Sequence, residues 1–262
     1  MASESCSDAN WNQLAHEYRD VGHIVVRQFL PAEEFQELRQ QIDRYIAEVV
    51  PRLPDTHAFF QDRQRPETLK QMQHMGTDPW FEAYTRHPRW VELAAALLGE
   101  PASAKSPEWF NKPAGTEHPT PPHQDNYYFC LRPPQVLTMW LALDPVDEQN
   151  GCLRYVSGSH KAGLRSHGAT EVLGFSQGIT DYGPEDTEKE VAMILEAGDL
   201  VVHHGETIHR ADPNRTTDRP RRSFAMVFQG ESAQRDPEAW RNYLDNMARQ
   251  HAAMGLKGAT VS

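Results

Sequence analysis

Thirteen histidines are spread along the chain, and one of them, His123, stands two residues from Asp125 in the segment PPHQDNYYF. In an extended segment alternate side chains share a face, about 7 Å apart along the strand, so an imidazole and a carboxylate would point the same way. Two imidazoles and one carboxylate on one face of an octahedron hold Fe(II) and leave positions open for other ligands. The pair therefore needs a second imidazole. His160, His167, His203, His204 and His209 all lie downstream. A ligand so distant in sequence must come from another strand of the same closed sheet, and both the run 200–204 and the GETIHRADPN segment after it can deliver one.

The elements that would hold these residues change character near residue 100. Before it, apolar residues recur at helical spacing. Helices are expected over 11–18, 31–51, 67–75 and 90–98, with Phe35, Leu38, Ile42, Tyr45, Ile46 and Val49 on one face of the second and Gly99 capping the last. A strand is expected over 23–30. Beyond residue 100, short apolar runs separated by Pro, Gly, Asn and Asp read as strands over 137–143, 152–156, 192–195, 200–204 and 223–229. Strands at that spacing predict a jelly roll with the N-terminal helices packed outside it. Thr138 and Trp140 alternate with Met139, which would turn both toward the barrel interior. The polar stretch 161–190 is expected to be a long loop and a candidate lid over the site.

Five segments in fixed order, VGHIVVRQFLPAEE, FNKPAG, HQDNYYFCLRP, LTMWLALDPVDEQNGCLRYVSGSH and GDLVVHHGETIHRADPNRTTDRPRRSF, resemble the phytanoyl-CoA dioxygenase family of Fe(II)- and 2-oxoglutarate-dependent oxygenases. The resemblance runs from about residue 20 to 230. It implies a mainly β fold with packed helices, the cupin-like double-stranded β-helix. It also implies that His123, Asp125 and His209 hold the iron, with His203 and His204 as neighbours rather than ligands. Arg221, in preference to Arg222, would clamp the distal carboxylate of 2-oxoglutarate through two charge-assisted hydrogen bonds. Arg219 would face solvent. Asn111, Thr138 and Trp140 would line the cosubstrate pocket, and Asn126, Tyr127 and Tyr128, which follow the metal pair, would meet the substrate. The implied reaction uses dioxygen to hydroxylate a C–H bond, with succinate and carbon dioxide as coproducts. Two positions depart from the family pattern: Ala211 stands where a serine is frequent, and Ser157 stands in the turn SGSH. Asp125 occupies the place that a small residue takes in related iron halogenases, which argues for hydroxylation.

Composition narrows the partners. Lys and Arg number 26 against 37 Asp and Glu, a net charge of −11, which disfavours nucleic acid and a highly anionic thioester alike. A small polar metabolite is the expected substrate, such as a cationic amine or a phosphonate. Trp109, Phe110, Tyr127 and Tyr128 could cage a quaternary ammonium by cation–π attraction. The longest apolar run, near 93–98, falls far short of the roughly 20 residues that span a bilayer. The opening MASESCSDAN has neither a basic nor an apolar signal region, and Cys6, Cys130 and Cys152 read as reduced thiols, so the expectation is a cytoplasmic protein. One domain over 1–262 is expected: helix-rich to about 100, a jelly-roll core over about 101–230 and a final helix over about 236–253. The rival reading is a non-catalytic jelly roll holding a structural metal such as zinc. Arg221 discriminates, because a structural site has no need of a carboxylate clamp.

Overall fold

The computed structural model describes residues 11–170 and 177–253. Cys6 lies outside them; Cys130 and Cys152 are buried free thiols. Helix α1 (Trp11–Val21) ends at Gly22. Its φ of +83° suits glycine, and an added Cβ would sit 2.4 Å from His160 Nδ1 and 2.5 Å from the Thr207 hydroxyl oxygen. β1 (His23–Val26) follows and stops short of residue 30, because Gln28 takes a φ of 46° and donates its backbone N–H to Asp199. α2 (Ala32–Arg44) buries Leu38 and Ile42, then widens into a π turn and tightens into a 3-10 turn that ends after Pro51.

The helix expected over 67–75 is instead β3 (Leu69–Met72), paired with β2 (Ala58–Phe60) on one side. The threefold spacing of Leu69, Met72 and Met75 imitates a helix. A register shift beside β2 lets Leu69 and Met72 enter the same core, and pairing with a neighbouring strand overrides the local pattern. α3 (Pro79–Tyr84) and α4 (Pro88–Leu98) complete the helical layer, with Gly99 in the left-handed region at the end of α4 as expected.

The remaining strands are β4 (Ala102–Ala104), β5 (Glu108–Lys112), β6 (Thr120–His123), β7 (Leu131–Arg132), β8 (Val136–Ala142), β9 (Leu153–Val156), β10 (His167–Ala169), β11 (Gln177–Ile179), β12 (Glu190–Ala192), β13 (Leu200–His204), β14 (His209–Ala211), β15 (Arg221–Gly230) and β16 (Gln234–Arg235). The strand expected over 192–195 is thus displaced to β12, and Leu195 makes only a bridge to Val146. An eight-stranded sheet runs β1-β13-β8-β15-β5-β3-β2 with β4 beside β15, and a four-stranded sheet runs β12-β9-β14-β6. Every pairing is antiparallel. Trp140, Val201 and Ala225 of the large sheet pack against Leu153, Tyr155 and Ala211 of the small one, so the two face each other as a jelly roll. The other face of the large sheet, with Met139, Phe224 and Phe228, packs under the helices. This double coverage explains why β8 is buried at every position. A final helix, Pro237–Ala253, closes the described chain, and no described helix is long and apolar enough to cross a membrane.

Trp90 anchors the helical layer, edge-on to Phe29 at 5.0 Å and to Phe224 at 5.9 Å between ring centroids. Trp90→Ala should cost about 3–5 kcal/mol in urea denaturation, as expected for emptying a fully buried indole site.

Candidate metal centre

The small sheet places three residues in one row: His123 on β6 pairs with His209 on β14, which pairs with Tyr155 on β9. The large sheet offers a second row, His23 on β1, His203 on β13 and Thr138 on β8. Asp125 lies between the two rows. It is not on an extended strand: β6 ends at His123, and Asp125 already has helical angles of −59° and −37° at the start of a short turn, Asn126–Phe129. That turn, rather than strand alternation, brings its carboxylate to 3.5 Å from both His123 Nε2 and His209 Nε2. One donor atom from each of the three side chains lies within 4.8 Å of the others, the only such group of three found among the described residues.

The hydrogen bonds fix the chemistry of these donors. His123 Nδ1 stands 2.8 Å from the Pro121 carbonyl, and His209 Nδ1 stands 2.9 Å from the Thr207 carbonyl. A carbonyl only accepts, so each Nδ1 carries the proton and each Nε2 presents its lone pair toward Asp125. Burial, with the charges of His123 and His203 adding to it, holds His209 well below the usual histidine range, so it is a neutral imidazole. Burial pushes the Asp125 carboxyl up, but His209, His123 and His203 outweigh it and hold it well below 3.8. Two imidazoles and one carboxylate are the donor set of the facial triad.

The neighbouring histidines divide by face. His203 Nε2 bonds Asp125 Oδ2 at 3.0 Å. His204, next along β13, turns outward against Tyr18 and accepts from the Glu206 backbone N–H. Thr138 donates to Asp125 Oδ2 at 2.6 Å, and Trp140 faces the barrel interior from the same strand.

Arg221 is 4% exposed, with its guanidinium carbon 5.2 Å from the centroid of the Trp140 ring. Its Nε has no partner, and among the described residues no carboxylate pairs with it. Burial lowers it from 12.5 to about 10. The Ser223 hydroxyl, two residues along the same face of β15, is also buried without a partner. Arg222 faces the other way and is committed to Asp144 by two bonds of 2.9 and 2.6 Å, while Arg219 pairs with Asp147 at the surface. A buried cation with no anion beside it is costly, which makes Arg221 a candidate for binding an anionic ligand.

Several expected residues stand elsewhere. Asn111 lies on the helix side of β5, donating to the Leu69 carbonyl at 2.8 Å; alternation turns Glu108, Phe110 and Lys112 inward instead. Trp109 shares the helix side with Asn111, so the four-aromatic cage does not assemble. Asn126 spends its amide on both backbone groups of Leu131 and on Glu206. Tyr127 stacks on His167 at 4.1 Å, and Tyr128 donates to the Gln177 carbonyl and presents an edge contact to His123.

Four residues escaped the sequence reading. Lys112, in register with Arg221, donates to the carbonyls of Ala211 and Asp212 and is lowered to about 6, chiefly by burial and then by Arg221. Glu108 is raised to about 7 by burial, with the charge of Asp125 adding to it; the Gln71 amide donates to it at 3.1 Å. The Tyr155 hydroxyl is hydrogen-bonded to His203 Nδ1 at 2.9 Å. Gln124, wholly buried between the two first ligands, binds the carbonyls of Gly163 and Glu206 and accepts from the Arg165 N–H. It thereby ties Gly163 and Arg165 to the metal turn; the stretch 161–190, expected as a loop, carries the paired strands β10 and β11 and a short helix Pro184–Thr187, and 171–176 lie outside the described residues.

The profile of the phytanoyl-CoA dioxygenase (PhyH) family matches residues 18–223. A probable phytanoyl-CoA dioxygenase of Caenorhabditis elegans is 29% identical over 76% of this chain and 69% of its own. The human peroxisomal phytanoyl-CoA dioxygenase is 26% identical over 76% of this chain and 62% of its own, so the chain spans only about two thirds of the length of these relatives. Among solved structures, the epimerase SnoN in complex with Fe3+, α-ketoglutarate and nogalamycin RO is 25% identical, covers 98% of this chain and 93% of its own, and superposes with a TM-score of 0.71. The match spans the metal turn, the paired strands and Arg221 alike, and the chain belongs to the phytanoyl-CoA dioxygenase family.

Proposed function

We propose that the protein is an Fe(II)- and 2-oxoglutarate-dependent dioxygenase that hydroxylates a C–H bond of a small polar metabolite. The observation that carries this reading is Arg221, a buried guanidinium without an anion, in the same barrel as a His-Asp-His cluster. His123, Asp125 and His209 would hold the metal. Arg221 would bind the distal carboxylate of 2-oxoglutarate, with the Ser223 hydroxyl nearby and the Lys112 amine beside it in register on β5. Thr138 orients Asp125, and Trp140 walls the pocket under the guanidinium. When bound, Fe(II) with 2-oxoglutarate and dioxygen supplies the oxidising chemistry, with succinate and carbon dioxide as coproducts. The described residues of the stretch 161–190, which Gln124 anchors at Gly163 and Arg165, would exclude water. Complexes of SnoN with Fe3+ and α-ketoglutarate support the cofactor pair, and Asp125 in the carboxylate position supports hydroxylation over halide transfer. The test is succinate formation from 2-oxoglutarate with added Fe(II) in air, stopped by a chelator. Chelator-insensitive turnover, or none, would refute it.

Glu108 bears on the substrate. A carboxyl inside the barrel with only an amide beside it favours a substrate that brings a donor, such as an amine or hydroxyl. Its folded-state value of about 7 lies above the ordinary 4.5, so the folded protein holds this proton more tightly than the unfolded chain. Burial of Glu108 therefore costs nothing below about 4.5, and its cost grows as pH rises to about 7 and is then constant. Glu108→Gln in metal-free protein should accordingly raise the melting temperature relative to wild type at pH 8 and not at pH 4.5; a difference independent of pH would contradict this.

A further inference from the structure

Asp125 has two oxygens, and the structure gives them different surroundings. Oδ1 faces His123 and His209. Oδ2 faces the large sheet, where the Thr138 hydroxyl donates to it at 2.6 Å and His203 Nε2 lies 3.0 Å away. An ionised carboxylate only accepts, so His203 must carry its proton on Nε2 and donate. Its Nδ1 meets the Tyr155 hydroxyl 2.9 Å away, and in the neutral ring that nitrogen accepts and the hydroxyl donates. The three side chains thus form one hydrogen-bonded chain, Tyr155 to His203 to Asp125, whose last bond runs toward Asp125 because a carboxylate only accepts. Both relay side chains are buried, Tyr155 wholly and His203 to 2% exposure, so water does not stand in for either bond.

The relay also joins the two sheets. Tyr155 belongs to the row that carries His209 and His123, while His203 belongs to the opposite row with Thr138 and His23. The His23 ring stacks on Tyr155 at 5.0 Å and bonds the Ser157 hydroxyl, which holds the far end of the relay in place. Apolar side chains at 155 and 203 would fill the same space, but only donors can occupy Oδ2.

We infer that Tyr155 and His203 are positioning residues that hold Asp125 by Oδ2, so that it offers Oδ1 alone to the metal, and that metal affinity depends on this relay. The inference rests on the metal reading of the cluster. Outer partners of this kind change metal affinity by about 10–100-fold in other sites.

The test uses the full chain and Co(II), which occupies nitrogen and oxygen sites without needing dioxygen, followed by calorimetry and by visible absorption. Tyr155→Phe removes one hydroxyl and keeps the ring, and should weaken Co(II) binding about 10-fold. His203→Leu removes the donor and should weaken it about 10–100-fold. His203→Gln, whose amide can donate from the place of Nε2, should recover most of the affinity. The melting temperature of metal-free protein is measured alongside, and a loss of affinity at unchanged melting temperature separates positioning from general packing. Unchanged Co(II) affinity in both Tyr155→Phe and His203→Leu would overturn the relay. So would a loss in His203→Leu that His203→Gln does not restore while Tyr155→Phe is silent, which would make His203 itself a ligand. If wild type shows no saturable Co(II) binding, the metal reading fails, and that result is distinct from either.

Discussion

An alanine in place of His209 abolishes succinate formation and Co(II) binding together, with losses well beyond the roughly 100-fold that an outer partner can cause. The reason is the small number of donors. Among the described residues only three side chains converge, and removing the imidazole of His209 leaves only His123 and Asp125, both from one short segment. The control is His204→Ala. His204 is a half-buried histidine, lowered to about 4 by burial, yet it faces Tyr18 on the outer side of β13. Its loss should leave metal binding and turnover near wild type. Equal damage from the two substitutions would mean that His209 acts through the fold and not as a ligand.

Arg221→Leu produces the second large effect, of a different kind. Truncating one member of a buried, hydrogen-bonded charge pair costs 2–5 kcal/mol in general, and about 3 kcal/mol corresponds to roughly 150-fold in affinity. The KM for 2-oxoglutarate should therefore rise by about two orders of magnitude, while Co(II) affinity holds, because Arg221 touches none of the three donors. Arg221→Lys should recover little of it, since a point charge cannot reproduce a planar fork. Arg222→Leu is the matched control: it breaks the bond to Asp144 on the helix side and should leave the KM unchanged. An unchanged KM in Arg221→Leu would move the carboxylate clamp to Lys112.

The candidate site residues were legible because types and order suffice to name them. His123, Asp125, His209 and Arg221 stand in motifs whose spacing survives changes in backbone detail. The long strands were legible for the same reason: β13 coincides with its apolar run residue for residue. What sequence could not show is which way short strands face. A one-residue change of register turns every side chain to the other side of a sheet, so Asn111 and Lys112 exchange roles although they are neighbours. β5 itself left no clear period, because both of its faces are covered, one by helices and one by the opposite sheet. β3 was read as a helix because its irregular pairing sets two apolar residues three apart on one side. Tyr155 and His203 lie 48 residues apart, and nothing local to either announces that they bond through a buried ring nitrogen. Asp125 shows the opposite case: the expected partner is right, but a helical turn, not an extended strand, delivers it.

The central claim is that one barrel holds both a metal triad and a clamp for a dicarboxylate. Anaerobic addition of Fe(II) and then 2-oxoglutarate to wild type, His209→Ala and Arg221→Leu tests it most directly, followed by visible absorption. The account predicts a charge-transfer band that appears in wild type only when both are present, is absent in His209→Ala, and in Arg221→Leu returns at about 100-fold higher 2-oxoglutarate. A band of equal strength in His209→Ala, or none in wild type at saturating Fe(II) and 2-oxoglutarate, would contradict it.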